Sequence, residues 1–182
     1  MKTAKEIFEE LNSFDENRRI EAKSASAVGK SMMETVCAFA NEPGLQGGYL
    51  LLGAKRVGMT GDGKPIYEPE NIENSDKIQS DFVAMCNSVF NIHIRPIIQV
   101  EEYQGKTVVV VKIEELPVSQ KPVYFAKRGL PDGAFRRIGP SDEKCSEEDM
   151  YLFYQSADTY DSCVVDDTDL DDIDENALGF YR

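Results

Sequence analysis

The run Tyr49–Gly53 (YLLLG) carries no polar side chain except the tyrosine hydroxyl, and the loop Glu42–Gly48 before it is punctuated by Pro43, Gly44, Gly47 and Gly48. Five residues is strand length. A continuously apolar strand has to be buried on both faces, so this one belongs at the centre of a sheet. The segment just upstream, from about Gly29 to Asn41, places Met32, Met33, Val36, Cys37, Phe39 and Ala40 on a broad side of a helix, which would pack on that sheet.

The other elements fall into place around this pair. Thr3 and Glu6 have the spacing of a capping box, with Ile7, Phe8 and Leu11 as the apolar face of a helix over roughly 3–12. Arg19–Lys23 alternates like a strand with one wet face. Residues 58–71 are rich in Gly and Pro and read as turns. Asn74 or Ser75 can cap a helix to about Val89, with Ile78, Phe82, Val83, Met85 and Cys86 inward. Ile94–Val100 and Thr107–Ile113 flank Tyr103-Gln104-Gly105 as a hairpin, and Val123–Phe125 with Ala134–Ile138 form a looser pair. Ser146, followed by three acids, caps a helix to about Ser156. The order predicts an α+β fold: a mixed sheet of about five to six strands and three to four helices in two layers, with the sheet covered mainly on one side.

Charge divides the chain. Residues 158–182 hold nine acids and one Arg, a net of −8; residues 1–157 hold 24 acids and 19 Lys or Arg, a net of −5. The expected organisation is one domain over 1–157 and an acidic tail over 158–182, which is either a terminal tail or a linker to a further domain. A net-acidic body argues against nucleic acid unless cations gather locally. Candidates for such gathering are Arg18, Arg19, Lys23 and Lys30, then Lys55 and Arg56, then Lys127, Arg128, Arg136 and Arg137. No apolar run approaches the roughly 20 residues of a membrane span. The four Cys, at 37, 86, 145 and 163, form no C-x-x-C pair and have no close His, which points to a reducing cytoplasm.

Motifs for catalysis are sparse. Gly29-Lys30-Ser31 ends like a phosphate loop, but Ser24 stands where its first Gly is required. A helix start with Gly and Lys can still hold a single phosphate. His93, the only histidine, lies in an alternating strand with no assignable nucleophile, which points to a surface or structural place. Glu16 and Glu21, with Lys23 following, could hold a divalent cation for phosphodiester cleavage; the plainer alternative is ion pairing with Arg18 or Arg19. No cofactor motif and no further metal-ligand set is present.

Taken together, several segments resemble the Schlafen Alba-type domain. They are Glu21-Ala22-Lys23, Ala38–Asn41 (AFAN), Gly47–Gly53 (GGYLLLG), Lys121-Pro122, Phe135–Ser141 (FRRIGPS) and Ser146–Met150 (SEEDM), in the family's order over roughly 10–157. The resemblance implies an α+β domain of bacterial proteins that bind DNA and regulate transcription. It also implies relatives that cleave tRNA and rRNA with two Glu, matched here by Glu16 and Glu21, and a further acid just after the Gly-Val strand. Here that place holds Lys55-Arg56. The resulting expectation is a non-catalytic, cytoplasmic nucleic-acid-binding module, with DNA as its partner. Lys23, Lys30, Lys55, Arg56, Arg136 and Arg137 would contact phosphates, without cofactor or metal. A metal-dependent ribonuclease using Glu16 and Glu21 stays open, as do a nucleotide or protein-interaction module, a homodimer and a downstream domain.

Overall fold

The computed structural model describes residues 1–25 and 28–161, with side chains through Gln155. Helix α1 (Ala4–Phe14) begins at the expected box: the Glu6 amide donates to Thr3 Oγ1 at 3.3 Å and the Thr3 amide to Glu6 Oε2 at 2.7 Å. Strand β1 (Ile20–Lys23) follows, then helix α2 (Lys30–Asn41) and strand β2 (Gly48–Leu52). All five residues of β2 are buried. Further on, the hairpin of β5 (Ile97–Tyr103) and β6 (Lys106–Ile113) completes a mixed four-stranded sheet in the order β1-β2-β6-β5. Strand β2 lies parallel to β1 and antiparallel to β6.

Period-two alternation divides the sheet's apolar side chains between two clusters. Leu50, Leu52, Val109, Val111 and Ile113 join Met33, Val36, Phe39 and Phe82 in the larger one, made with α2 and with helix α3 (Ser75–Ser88). Tyr49, Leu51, Val108 and Val110 join Ile7, Phe8 and Leu11 of α1 in the smaller. This two-sided burial is why β2 and β6 read as continuous apolar runs.

The turn-rich reading of 58–71 is corrected here. Gly53, at φ +84, turns the chain out of the sheet, and a Cβ there would lie 2.7 Å from the Glu70 carbonyl oxygen. The chain then forms a separate two-stranded ribbon of β3 (Ala54–Met59) and β4 (Pro65–Pro69). The pair expected between 123–125 and 134–138 is also corrected. It reduces to a single bridge, Tyr124 with Ala134, because β7 (Phe135–Ile138) pairs instead with β8 (Ser141–Lys144). The strands are therefore shared between a four-stranded sheet and two ribbons. Buried Asn41, the last residue of α2, holds the 121–125 segment in place. Its Nδ2 donates to the carbonyls of Val123 and Phe135, at 2.8 and 3.0 Å, and its Oδ1 accepts from the Val123 amide at 2.7 Å.

Helix α4 (Glu147–Asp161) runs through the expected boundary at 157, and the rest of the acidic tail lies outside the described residues. Among the described residues, no helix is long and apolar enough to cross a membrane.

Candidate nucleic-acid interface

The α1–β1 turn, β1 and the β7–β8 ribbon bring Glu16, Glu21, Lys23 and Arg137 together. Glu16 sits in the turn, where its Oε1 accepts from the Ala22 amide at 3.0 Å. Glu21 points from β1 into a buried place. Its Oε1 is 2.5 Å from Lys23 Nζ, and its Oε2 accepts from Arg137 Nη2 at 2.7 Å. Partial burial raises the Glu16 carboxyl above its ordinary value, and the nearby Glu21 charge raises it further. Glu16 thus feels the charge of Glu21 from across the α1–β1 turn.

Arg137 is not at the surface. Its side chain has no exposed area; both Nη atoms are bonded within the fold, while Nε is buried without a hydrogen-bond partner among the described residues. Nη1 donates to Asp142 Oδ1 at 2.6 Å, and Nη2 donates to the Asn17 carbonyl at 3.0 Å as well as to Glu21. Its guanidinium carbon lies 5.1 Å from the centre of the Phe39 ring. Thr35 donates to the other Asp142 oxygen at 2.5 Å. Burial nevertheless holds the Asp142 carboxyl above the usual value, against the pull of Thr35 and Arg137. The expectation that Arg137 contacts a phosphate is therefore corrected: alternation along β7 puts it on the buried side with Phe135 and leaves Ile138 outside.

Arg136, on the opposite side of β7, is also engaged within the fold. It grips Glu42 through Nε at 3.0 Å and Nη2 at 3.2 Å, and Asp149 through Nη1 at 2.5 Å. Arg18 shares the same Glu42 at 2.9 Å. The bond to Glu42 leads in holding the Arg136 guanidinium charged more firmly than usual. Lys23 is half-buried against Glu21. Of the six cations expected to meet phosphate, those left for a solvent-side anion are Lys30, exposed and 3.8 Å from Glu34; Lys55, exposed and without an ion pair among the described residues; and Arg56, about half exposed although paired with Asp15 at 3.1 Å. His93 is exposed and far from any such role.

The family implies a divalent cation in its nucleases, and the donor set here does not fit one. Both oxygens of Glu21 are held by cations and one oxygen of Glu16 by an amide. Hard divalent ions need several free oxygens at one point. Among the described residues, no three Asp, Glu, His or Cys side chains gather to offer them. The described thiols give no nucleophile either. Cys37, Cys86 and Cys145 are buried, and burial pushes Cys86 and Cys145 up to about 12.

The raised Glu16 carboxyl fixes a sign. A carboxylate whose pKa is higher folded than unfolded binds its proton more tightly in the native state, so ionising it at neutral pH opposes folding. That penalty fades as pH falls through the folded value and is gone below the unfolded one, about 4. Glu16→Gln keeps an acceptor for the Ala22 amide, so the variant should be more stable than the parent at pH 7 and lose that advantage towards pH 4. Urea unfolding at both pH values measures this. A variant less stable at pH 7 would contradict the assignment of Glu16 as a strained carboxylate.

Comparison with known proteins adds the following. The family model described as Schlafen, AlbA_2 matches residues 16–146, a span that begins at Glu16 and takes in every residue of the site except Asp15 and Asp149. The solved N-terminal domain of a Nitrosomonas europaea protein named as related to the ATP-dependent DNA helicase RecG is 49% identical. The match covers 80% of this chain and 95% of that one, with a TM-score of 0.66. The DIP2311 protein of Corynebacterium diphtheriae is 15% identical over 76% of this chain and 24% of its own, with a TM-score of 0.46. No curated protein matches the chain.

Proposed function

Since the chain belongs to the Schlafen AlbA_2 family, we propose that it is a nucleic-acid-binding module that holds a phosphate backbone and does not cut it. The observation that carries this reading is the internal pairing of Glu21. Glu21 is already paired with Lys23 and Arg137, while the exposed cations Lys55 and Arg56 follow directly on the strand beside it. DNA is the favoured partner, and the name of the Nitrosomonas europaea relative supports that choice. On this reading the module serves a cytoplasmic regulator of transcription, with DNA contact as its contribution.

Of the six cations expected to meet phosphate, Lys55, Arg56 and Lys30 keep that role. Lys23 and Arg136 act mainly inside the fold. Changing Lys55 and Arg56 together to Ala should weaken binding across sequences alike and lower the salt slope by roughly 1–2. The lost Arg56–Asp15 pair is half exposed, so stability should change little. Fluorescence anisotropy across a salt series measures both quantities. An unchanged slope would remove these two residues from the interface, and no binding by the parent chain at about 50 mM salt would overturn the reading.

A further inference from the structure

The β3–β4 ribbon has features that the fold does not use. Its base is firmly anchored. The Tyr67 amide donates to Asn12 Oδ1 at 2.6 Å, and the Tyr67 hydroxyl donates to Asp15 at 2.7 Å. Beyond that base, every residue from Lys55 to Lys64 is exposed. Two of them are large and apolar: Val57 is 49% exposed and Met59 60%. Val57 is also the residue left unpaired at the register shift between Arg56 and Gly58, a bulge that redirects its side chain. Lys55 and Arg56 stand at the foot of this exposed stretch, and Lys64 stands near its tip, largely exposed and 3.8 Å from Asp62. Apolar side chains flanked by cations, on a projecting arm, fit a partner with a charged rim and an apolar floor.

We infer that this ribbon enters the major groove of B-form duplex DNA, with Val57 and Met59 against thymine methyl groups and Lys55, Arg56 and Lys64 on the flanking phosphates. The inference rests on the nucleic-acid reading above and gives it a substrate class. The dimensions select the groove. Two strands stand about 4.8 Å apart before side chains are added. With side chains on both faces a ribbon is about 10 Å thick, more than an undeformed minor groove about 6 Å wide accepts, and it suits a major groove about 12 Å wide, which admits a two-stranded ribbon. From Lys55 to Met59 the strand spans roughly 13 Å, enough for a groove about 8.5 Å deep. The chemistry selects the base. The thymine methyl is the apolar group that the major groove displays, and Val57 and Met59 bring no hydrogen-bonding group to read other edges. The exposed part of the ribbon has no aromatic side chain on which single-stranded bases could stack. Double-stranded RNA keeps its major groove too deep and narrow for entry.

The test uses the full chain and three short duplexes: alternating A·T DNA, the same duplex with deoxyuridine for thymine, and its RNA counterpart. Removing the methyls should weaken binding by about fourfold for each methyl contacted. The RNA duplex should bind no better than the uridine DNA. In the variant Val57→Ser with Met59→Ser, the thymine preference should disappear while the salt slope stays that of the parent. Both positions are exposed, so the thermal transition should not move, which separates a lost contact from a lost fold. Equal binding to thymine and uridine DNA by the parent, or a thymine preference that survives in the double variant, would overturn the inference and leave phosphate binding standing. Absence of binding to all three duplexes would overturn the nucleic-acid reading and this one with it.

Discussion

Arg137→Met is expected to destabilise the domain by about 3–5 kcal/mol, because it leaves Glu21 and Asp142 as buried or half-buried carboxylates without their shared cation. The Asn17 carbonyl loses its donor as well. Lysine should rescue only part of the loss. It keeps the charge, but it lacks the planar fork that reaches Glu21, Asp142 and the carbonyl at once. The deficit should also depend on pH. Without the guanidinium, the Asp142 carboxyl, already raised by burial, rises further above its unfolded value and opposes folding when ionised. The variant should therefore recover part of its lost stability as pH falls from 7 towards 5. A loss under about 1 kcal/mol at pH 7 in urea unfolding would show that Arg137 does not hold the β7–β8 ribbon to β1.

Phe39→Ala should be of similar size, about 3–5 kcal/mol, for a different reason. Phe39 is fully buried in the larger core cluster. Its ring lies so near Gly48 that a Cβ there would approach within 2.6 Å, so α2 and the central strand meet at this point. The same ring lies under the Arg137 guanidinium. Truncation thus opens a cavity and removes the floor of the ionic cluster together. The two losses share a neighbour, so Phe39→Ala combined with Arg137→Met should fall short of the sum of the single effects. A cost below about 1 kcal/mol for Phe39→Ala would remove it from the core.

The elements that could be read from the sequence are those whose residues obey one period. Thr3 with Glu6 marked the first helix, and the tyrosine–leucine run marked β2 as central. The β3–β4 ribbon was hidden because its arm is exposed on both faces, so no alternation survives, and its glycines and Pro65 read as turns. Arg136 and Arg137 were misleading for another reason. An arginine in a short strand reads as surface; Asp142 stands only five residues from Arg137, but Glu21, which draws the side chain inward, stands 116 residues away in sequence. Glu16 and Glu21 stood out by their spacing before Lys23 and again by the Schlafen resemblance. Local spacing offered Arg18 or Arg19 as their partners, whereas the partner that holds Glu21 is Arg137, and Arg18 turns to Glu42. Asn41 stood inside the recognised A-F-A-N segment, but its part in pinning the 121–125 segment and β7 needs the fold to be seen.

The central claim is that this domain binds nucleic acid through its exposed cations without cutting it, because Glu21 is already paired from within. It is tested most directly by incubating the bound complex with Mg²⁺ or Mn²⁺, using duplex DNA, single-stranded DNA and tRNA, and following substrate length over time. The account predicts that every nucleic acid stays intact, at the same level as in Glu21→Ala. Metal-dependent cleavage by the parent chain that disappears in Glu21→Ala would contradict it and make Glu16 and Glu21 the centre of a ribonuclease.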